Sequence, residues 1–158
     1  MIIRQADEED MPSLMKIEEE CFGAERFGAS IVRAFVERDD TFVLAAVEGD
    51  DIIGSAMCII SEERAEGRIA SIAVLSEFRR RGVGSMLLEE CERDFREQAA
   101  LKFSLEVEAT NEPALNLYLG KGYEVKATIQ DFYGLGRNAF YMEKNEDPTR
   151  REVKVRSA

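Results

Sequence analysis

The sequence predicts an α/β fold of the α+β kind: a central mixed, mostly antiparallel sheet of about six or seven strands flanked by about four helices. Three observations predict it. Short β-rich runs and helix-spaced apolar repeats share the chain. The first half joins its long β-runs through a hairpin signal, while the second half reads as strand, helix, strand. The 158 residues, 45% of them hydrophobic, suit one domain with one substantial core. We expect a single domain over residues 1–144 and a charged, flexible tail over residues 145–158, NEDPTRREVKVRSA.

The elements follow in order. IIRQA, from Ile2 to Ala6, reads as a short strand. Asp7 stands as an N-cap ahead of Glu8, Glu9 and Asp10, acidic residues that suit the positive end of a helix. Met11, Leu14, Ile17 and Cys21 then recur at helical spacing. Beyond the glycine-punctuated loop CFGAERFGA, a shorter helix is expected from Ser30 to about Arg38, with Ile31, Ala34 and Phe35 inward. TFVLAAVEGDDIIGSAMCII is two β-runs joined at Gly49, Asp50 and Asp51, and GRIASIAVL is a third, largely apolar run. A helix from about Gly82 to Ala99 places Val83, Leu87, Cys91 and Phe95 on one apolar stripe. LKFSLEVEAT is a strand, and NEPALNLYLGKG is a short helix opened by Asn111 and closed near Gly122. YEVKATI and AFYMEK complete the strands.

Composition narrows the function. With 32 acidic and 21 basic residues, the net charge of -11 repels nucleic acid and anionic lipid and attracts amines and basic peptides. No apolar run approaches the roughly 20 residues that span a bilayer. The segment MIIRQADEED lacks the apolar centre of a signal peptide. We expect a cytoplasmic protein, monomeric or homodimeric, with no nucleic-acid or membrane partner. The 3 cysteines, Cys21, Cys58 and Cys91, are odd in number and widely spaced, which suggests neither a disulfide framework nor a zinc site; we expect them reduced and buried, and no metal. The sequence contains 0 histidines, which excludes a Ser/His or Cys/His dyad. Acid–base chemistry here falls to Glu, Asp, Tyr, Lys or Cys.

Against that acidity, FRRRGVGSMLL collects Arg79, Arg80 and Arg81 with Gly82 and Gly84 at a strand-to-helix turn. Such a turn gathers unpaired N–H groups and the positive helix end at one point, as phosphate requires. Neither GxxxxGK[ST] nor GxGxxG is present, so the turn is not that of an NTPase or a dinucleotide enzyme. Taken alone, it is either an anion site or a surface turn whose arginines satisfy acidic neighbours.

IASIAVLSEFRRRGVGSMLL resembles the acyl-CoA motif of the GNAT acetyltransferase superfamily, [Q/R]xxGx[G/A], with Arg79, Gly82 and Gly84 in its defined positions. LEVEATNEPALNLYLGKGYE is similar to the second half of the same fold, especially in the RimI/Ard1 branch of protein N-terminal acetyltransferases. The two segments cover Ile69 to about Glu124, and the order of elements fits the family from Ile2 to Lys144.

The resemblance implies a GNAT fold and an enzyme that moves an acetyl group from acetyl-CoA to the N-terminal α-amine of a protein or peptide, ribosomal proteins included. It implies that Ile72, Ala73 and Val74 pair with the pantetheine arm, that Arg80, Arg81, Gly82, Val83, Gly84 and Ser85 wrap the pyrophosphate, and that Asn111 adds a cofactor contact. It assigns the general base to Glu106, and to Tyr118, beside the sulfur, the general acid. Glu108 is the rival base, since it shares a strand face with Glu106. The bland alternatives stay open: a solvated pair of glutamates, a core tyrosine and an asparagine N-cap. For the acceptor, the resemblance points to Phe22, Glu25 and Phe27 in the first loop and to Phe132 and Tyr133 in the last. The branch often has a proline in the first loop and a Tyr-Tyr pair in the last, where this chain has FGAE and Phe132-Tyr133. A polyamine or other small-amine acetyltransferase and a non-catalytic acyl-CoA-binding regulator are the alternatives.

Overall fold

A computed structural model of the chain describes residues 1–146; of the tail expected from residue 145, all but Asn145 and Glu146 lies outside the described residues. The elements run β1 (Ile2–Gln5), α1 (Met11–Phe22), α2 (Ala29–Glu37), β2 (Thr41–Glu48), β3 (Asp51–Ser61), β4 (Glu66–Val74), α3 (Val83–Glu97), β5 (Lys102–Glu108), α4 (Glu112–Gly120), β6 (Glu124–Ile129) and β7 (Ala139–Asn145). The strands form one 7-stranded sheet in the order β1-β2-β3-β4-β5-β7-β6. This is the mixed α/β architecture expected from the sequence. The chain divides into two compact units, Met1–Ile60 with Ile69–Asp94, and Ser61–Arg68 with the residues from Phe95 on.

In the first unit Asp7 caps a 3-10 turn, Glu8–Asp10, that leads into α1. Its side chain accepts from the Glu9 N–H while the Asp10 carboxylate accepts from the Asp7 N–H, a reciprocal capping box. β1, β2 and β3 pair antiparallel, and the β2–β3 hairpin closes on the pair Glu48 and Asp51. Leu14 and Ile17 from α1, Val32 from α2, Val43 and Ala45 from β2 and Met57 from β3 are buried.

Two expectations change here. On α2 the buried residue is Val32, whereas Ile31 is 47% exposed. Val32, Phe35 and Val36 pack against the core at i, i+3, i+4, and Ile31 lies off that stripe. Cys58 and Cys91 are buried with their sulfurs 3.3 Å apart, but Cys21 is only half-buried.

In the second unit β5 pairs with β7 and β7 with β6, all antiparallel. In β5 Phe103, Leu105 and Val107 turn into the core, while Ser104, Glu106 and Glu108 share the other face, on which Ser104 is also buried. Phe95 packs on Phe103 with ring centroids 5.4 Å apart. Beyond β7, Glu146 accepts a charged hydrogen bond from Arg96 at 3.0 Å.

Candidate active site

The first unit carries the glycine turn. After a 3-10 turn at Ser76–Phe78, Arg79 is extended, Arg80 takes a left-handed φ of 65° and Gly82 one of 79° before α3 starts at Val83. A left-handed residue other than glycine costs roughly 1 kcal/mol, so the two together define a built turn and not a slack loop. A Cβ at Gly82 would meet nothing within 4 Å, so the space over its backbone is open. The first-turn N–H groups of α3 point outward with no partner in their own helix, as helix geometry requires.

The three arginines divide their work. Arg79 turns back to donate from Nε to the Val74 carbonyl at 2.9 Å, and Arg81 lies over the Phe78 ring at 5.2 Å. Arg79 thus ties the turn to the end of β4. Arg80, Arg81 and Gly82 are exposed, Val83 is buried, and Gly84 and Ser85 are half-buried. In β4 Ala73 is buried, with Ile72 and Val74 half-buried.

The second unit carries the carboxylates. Both oxygens of Glu106 accept from the two terminal nitrogens of Arg68 on β4; the side chains are 8% and 35% exposed respectively. Glu108 accepts from Arg137 at 2.8 and 3.0 Å. Those hydrogen bonds hold the Glu108 carboxyl below its ordinary range against the opposing effect of desolvation. The same Arg137 donates to the Tyr133 carbonyl at 3.2 Å and lies 5.9 Å from that ring's centroid, so it fastens the β6–β7 loop to β5. Burial, reinforced by the charges of Glu106 and Glu108, pushes the Tyr133 phenol up to about 12. Glu106, Glu108, Arg68, Arg137 and Tyr133 therefore make one polar cluster.

The remaining residues expected at the site stand on other elements. Tyr118 on α4 is 8% exposed and meets Tyr123 edge-on with centroids 6.0 Å apart. Asn111 caps α4, its Oδ1 accepting from the Ala114 N–H at 3.3 Å. Phe22 is 37% exposed at the end of α1, and Glu25 is exposed in the 3-10 turn Gly23–Glu25. Phe27 is half-buried and stacks on Phe35 at 6.3 Å. Phe132 is 46% exposed and meets Tyr133 edge-on at 4.9 Å.

Sequence reasoning did not single out Arg68 or Arg137. The available signal for Arg68 was a lone charge in the apolar run GRIASIAVL, on the strand face that also bears Ile72.

A model of the acetyltransferase (GNAT) family matches residues 6–123. An N-alpha-acetyltransferase of Sulfurisphaera tokodaii is 36% identical over 78 residues, covering 49% of this chain and 47% of that protein. The match therefore spans about half the length of that relative. N-alpha-acetyltransferase 30 of Schizosaccharomyces pombe is 27% identical over 120 residues, 74% of this chain and 80% of that one. Among solved structures, the ribosomal-protein-S18-alanine N-acetyltransferase from Escherichia coli superposes with a TM-score of 0.83 at 20% identity, covering 91% of this chain and 92% of that chain. A chain of the NatC complex bound to Gag peptide and CoA gives a TM-score of 0.81 at 23% identity, covering 92% and 98%. At these identities the superpositions are likenesses of fold.

Proposed function

The chain belongs to the acetyltransferase (GNAT) family, and from that premise we propose that it transfers an acetyl group from acetyl-CoA to the N-terminal α-amine of a protein or peptide. The observation that carries the reading is Glu106, a carboxylate 8% exposed, held on β5 by its own cation and grouped with Tyr133. The relatives named N-alpha-acetyltransferase support the α-amine as acceptor.

The residues present fit the cofactor. A polyanion needs backbone donors, open space and positive charge; the left-handed turn at Arg80 and Gly82 ahead of α3 offers all three. The residues that would hold it are Arg80, Arg81, Gly82, Val83, Gly84 and Ser85 for the pyrophosphate, with main-chain groups of Ile72, Ala73 and Val74 and the side chain of Asn111. Acetyl-CoA, when bound, supplies the activated acyl group and a thiolate leaving group.

The chain must supply proton transfer in both directions. An α-ammonium of pKa about 7.8 costs about 1 kcal/mol to neutralise at pH 7, whereas a lysine at about 10.4 costs about 4.6 kcal/mol. A modest base suffices for the first, and Glu106 takes that proton. Tyr118 returns a proton to the departing sulfur, its ring held in the core. Glu108, the rival base, is likewise paired with an arginine, and through Arg137 it fastens the β6–β7 loop; the base role goes to Glu106 on the family resemblance.

Steady-state kinetics on peptide substrates test this. Glu106→Gln and Tyr118→Phe are each expected to lower kcat by about 100-fold or more while leaving the KM for acetyl-CoA little changed. Wild-type kcat in both variants would sink the assignment.

A further inference from the structure

We infer that Arg68 is a positioning residue for the transfer, holding the Glu106 carboxylate so that its two unused acceptor positions are left for the acceptor amine. The inference rests on the reading of Glu106 as the proton acceptor.

A carboxylate has about four lone-pair positions, and a fork-to-fork guanidinium pair takes one on each oxygen. Glu106 is held in that way: one terminal nitrogen of Arg68 donates to Oε2 and the other to Oε1. With both oxygens pinned, the carboxylate cannot rotate, and the positions that remain are fixed in direction. A carboxylate this far from solvent also needs a partner to stay charged. Arg68 meets that need without competing for the proton, because a guanidinium does not give up its own.

The surroundings show that Arg68 is committed to this carboxylate. From β4, Glu66 contributes its charge to Arg68, but its Oε1 accepts from Ser104. From β7, Tyr141 stands opposite Glu106 in register and donates a hydrogen bond from its hydroxyl to Glu143. From the β6–β7 loop come Tyr133 and Arg137, the latter paired with Glu108, the neighbouring carboxylate on the same strand face. Each guanidinium of the cluster thus has its own carboxylate.

Lysine keeps the charge of arginine but not its planar fork, which separates orientation from electrostatics. Arg68→Met, Arg68→Lys and Glu106→Gln would be compared with wild type in peptide acetylation assays across pH, with urea unfolding as a check on the fold. Arg68→Met is expected to lower kcat on the order of tenfold through misplacement of the base. Its KM for acetyl-CoA should be unchanged, since the glycine turn is untouched. Arg68→Lys keeps the charge but not the fork, and should not restore kcat.

Full kcat in Arg68→Lys, or a wild-type kcat in Arg68→Met, overturns the inference. If Arg68→Met does not fold, the lysine variant decides alone. Should Glu106→Gln itself keep wild-type kcat, the underlying reading fails; should it be inactive while both Arg68 variants behave as wild type, only the inference does.

Discussion

Glu18 is the residue at which this fold tolerates an imperfection. It is 1% exposed on α1, and its Oε1 accepts from the Phe27 N–H at 2.9 Å, bracing the loop that follows α1. Its Oε2 is buried without a hydrogen-bond partner. Burial pushes its carboxyl up, and the bond from Phe27 only partly opposes that. The sign follows from linkage: between the ordinary carboxylate range and the raised folded value, the native state holds the proton that the unfolded chain has released. This group's contribution to stability is therefore fully present at acid pH and declines as pH rises through that window. Glu18→Gln cannot ionise and keeps an oxygen for Phe27. Its stability relative to wild type should be greater at neutral pH than at acid pH, in urea unfolding at the two pH values. A constant difference would show that Glu18 titrates in the fold as it does in the unfolded chain. Residue-scale reasoning of this kind was beyond the sequence: Glu18 is one of three consecutive glutamates, with Glu19 and Glu20, on an amphipathic helix, and nothing local marks it as the buried one.

At the scale of elements, the close approach of β4 to a helix side chain limits what the strand can carry. A Cβ at Gly67 would stand 2.2 to 2.6 Å from three atoms of the Phe95 ring. That ring is fully buried against Phe103 and has no room to retreat. Gly67→Ala should destabilise by roughly 1–3 kcal/mol, the usual cost of overpacking, read as a lower urea midpoint at unchanged slope. An unshifted midpoint would mean that Phe95 repacks freely. Elements were the most legible level of this chain, because periodicity is written locally: the Val83, Leu87, Cys91, Phe95 stripe is buried as expected. Pairings between elements were not. Glu106 and Glu108 share residue type and strand face, so beyond the family resemblance nothing in the sequence separates them. What separates them is that Glu106 faces Arg68 from β4 and Glu108 faces Arg137 from the β6–β7 loop, partners 38 and 29 residues away in sequence. The stripe of α2 was misjudged for a related reason: its 9 residues carry apolar side chains on more than one face, and only the neighbouring core decides which face turns in.

For the whole molecule, the decisive quantity is the opposition between a net charge of -11 and a turn carrying Arg79, Arg80 and Arg81. A long-range negative field raises the encounter rate of cationic acceptors and lowers that of anions, and both effects weaken as salt shortens the screening length. Contacts made at short range in a turn of backbone donors are screened much less. The proposed enzyme should therefore answer salt differently for its two substrates. Between about 50 and about 300 mM salt, the KM for a peptide with several lysines behind its N-terminus should rise several-fold, whereas that for a neutral peptide of equal length should hold nearly steady. The KM for acetyl-CoA should hold or fall, since screening removes the long-range repulsion before it touches the turn. Matched titrations of the two peptides at fixed acetyl-CoA measure the contrast directly. Equal responses from the lysine-rich and neutral peptides would mean that the acidic surface serves solubility alone, and that acceptor choice is made by short-range contacts such as those of Phe132 and Tyr133.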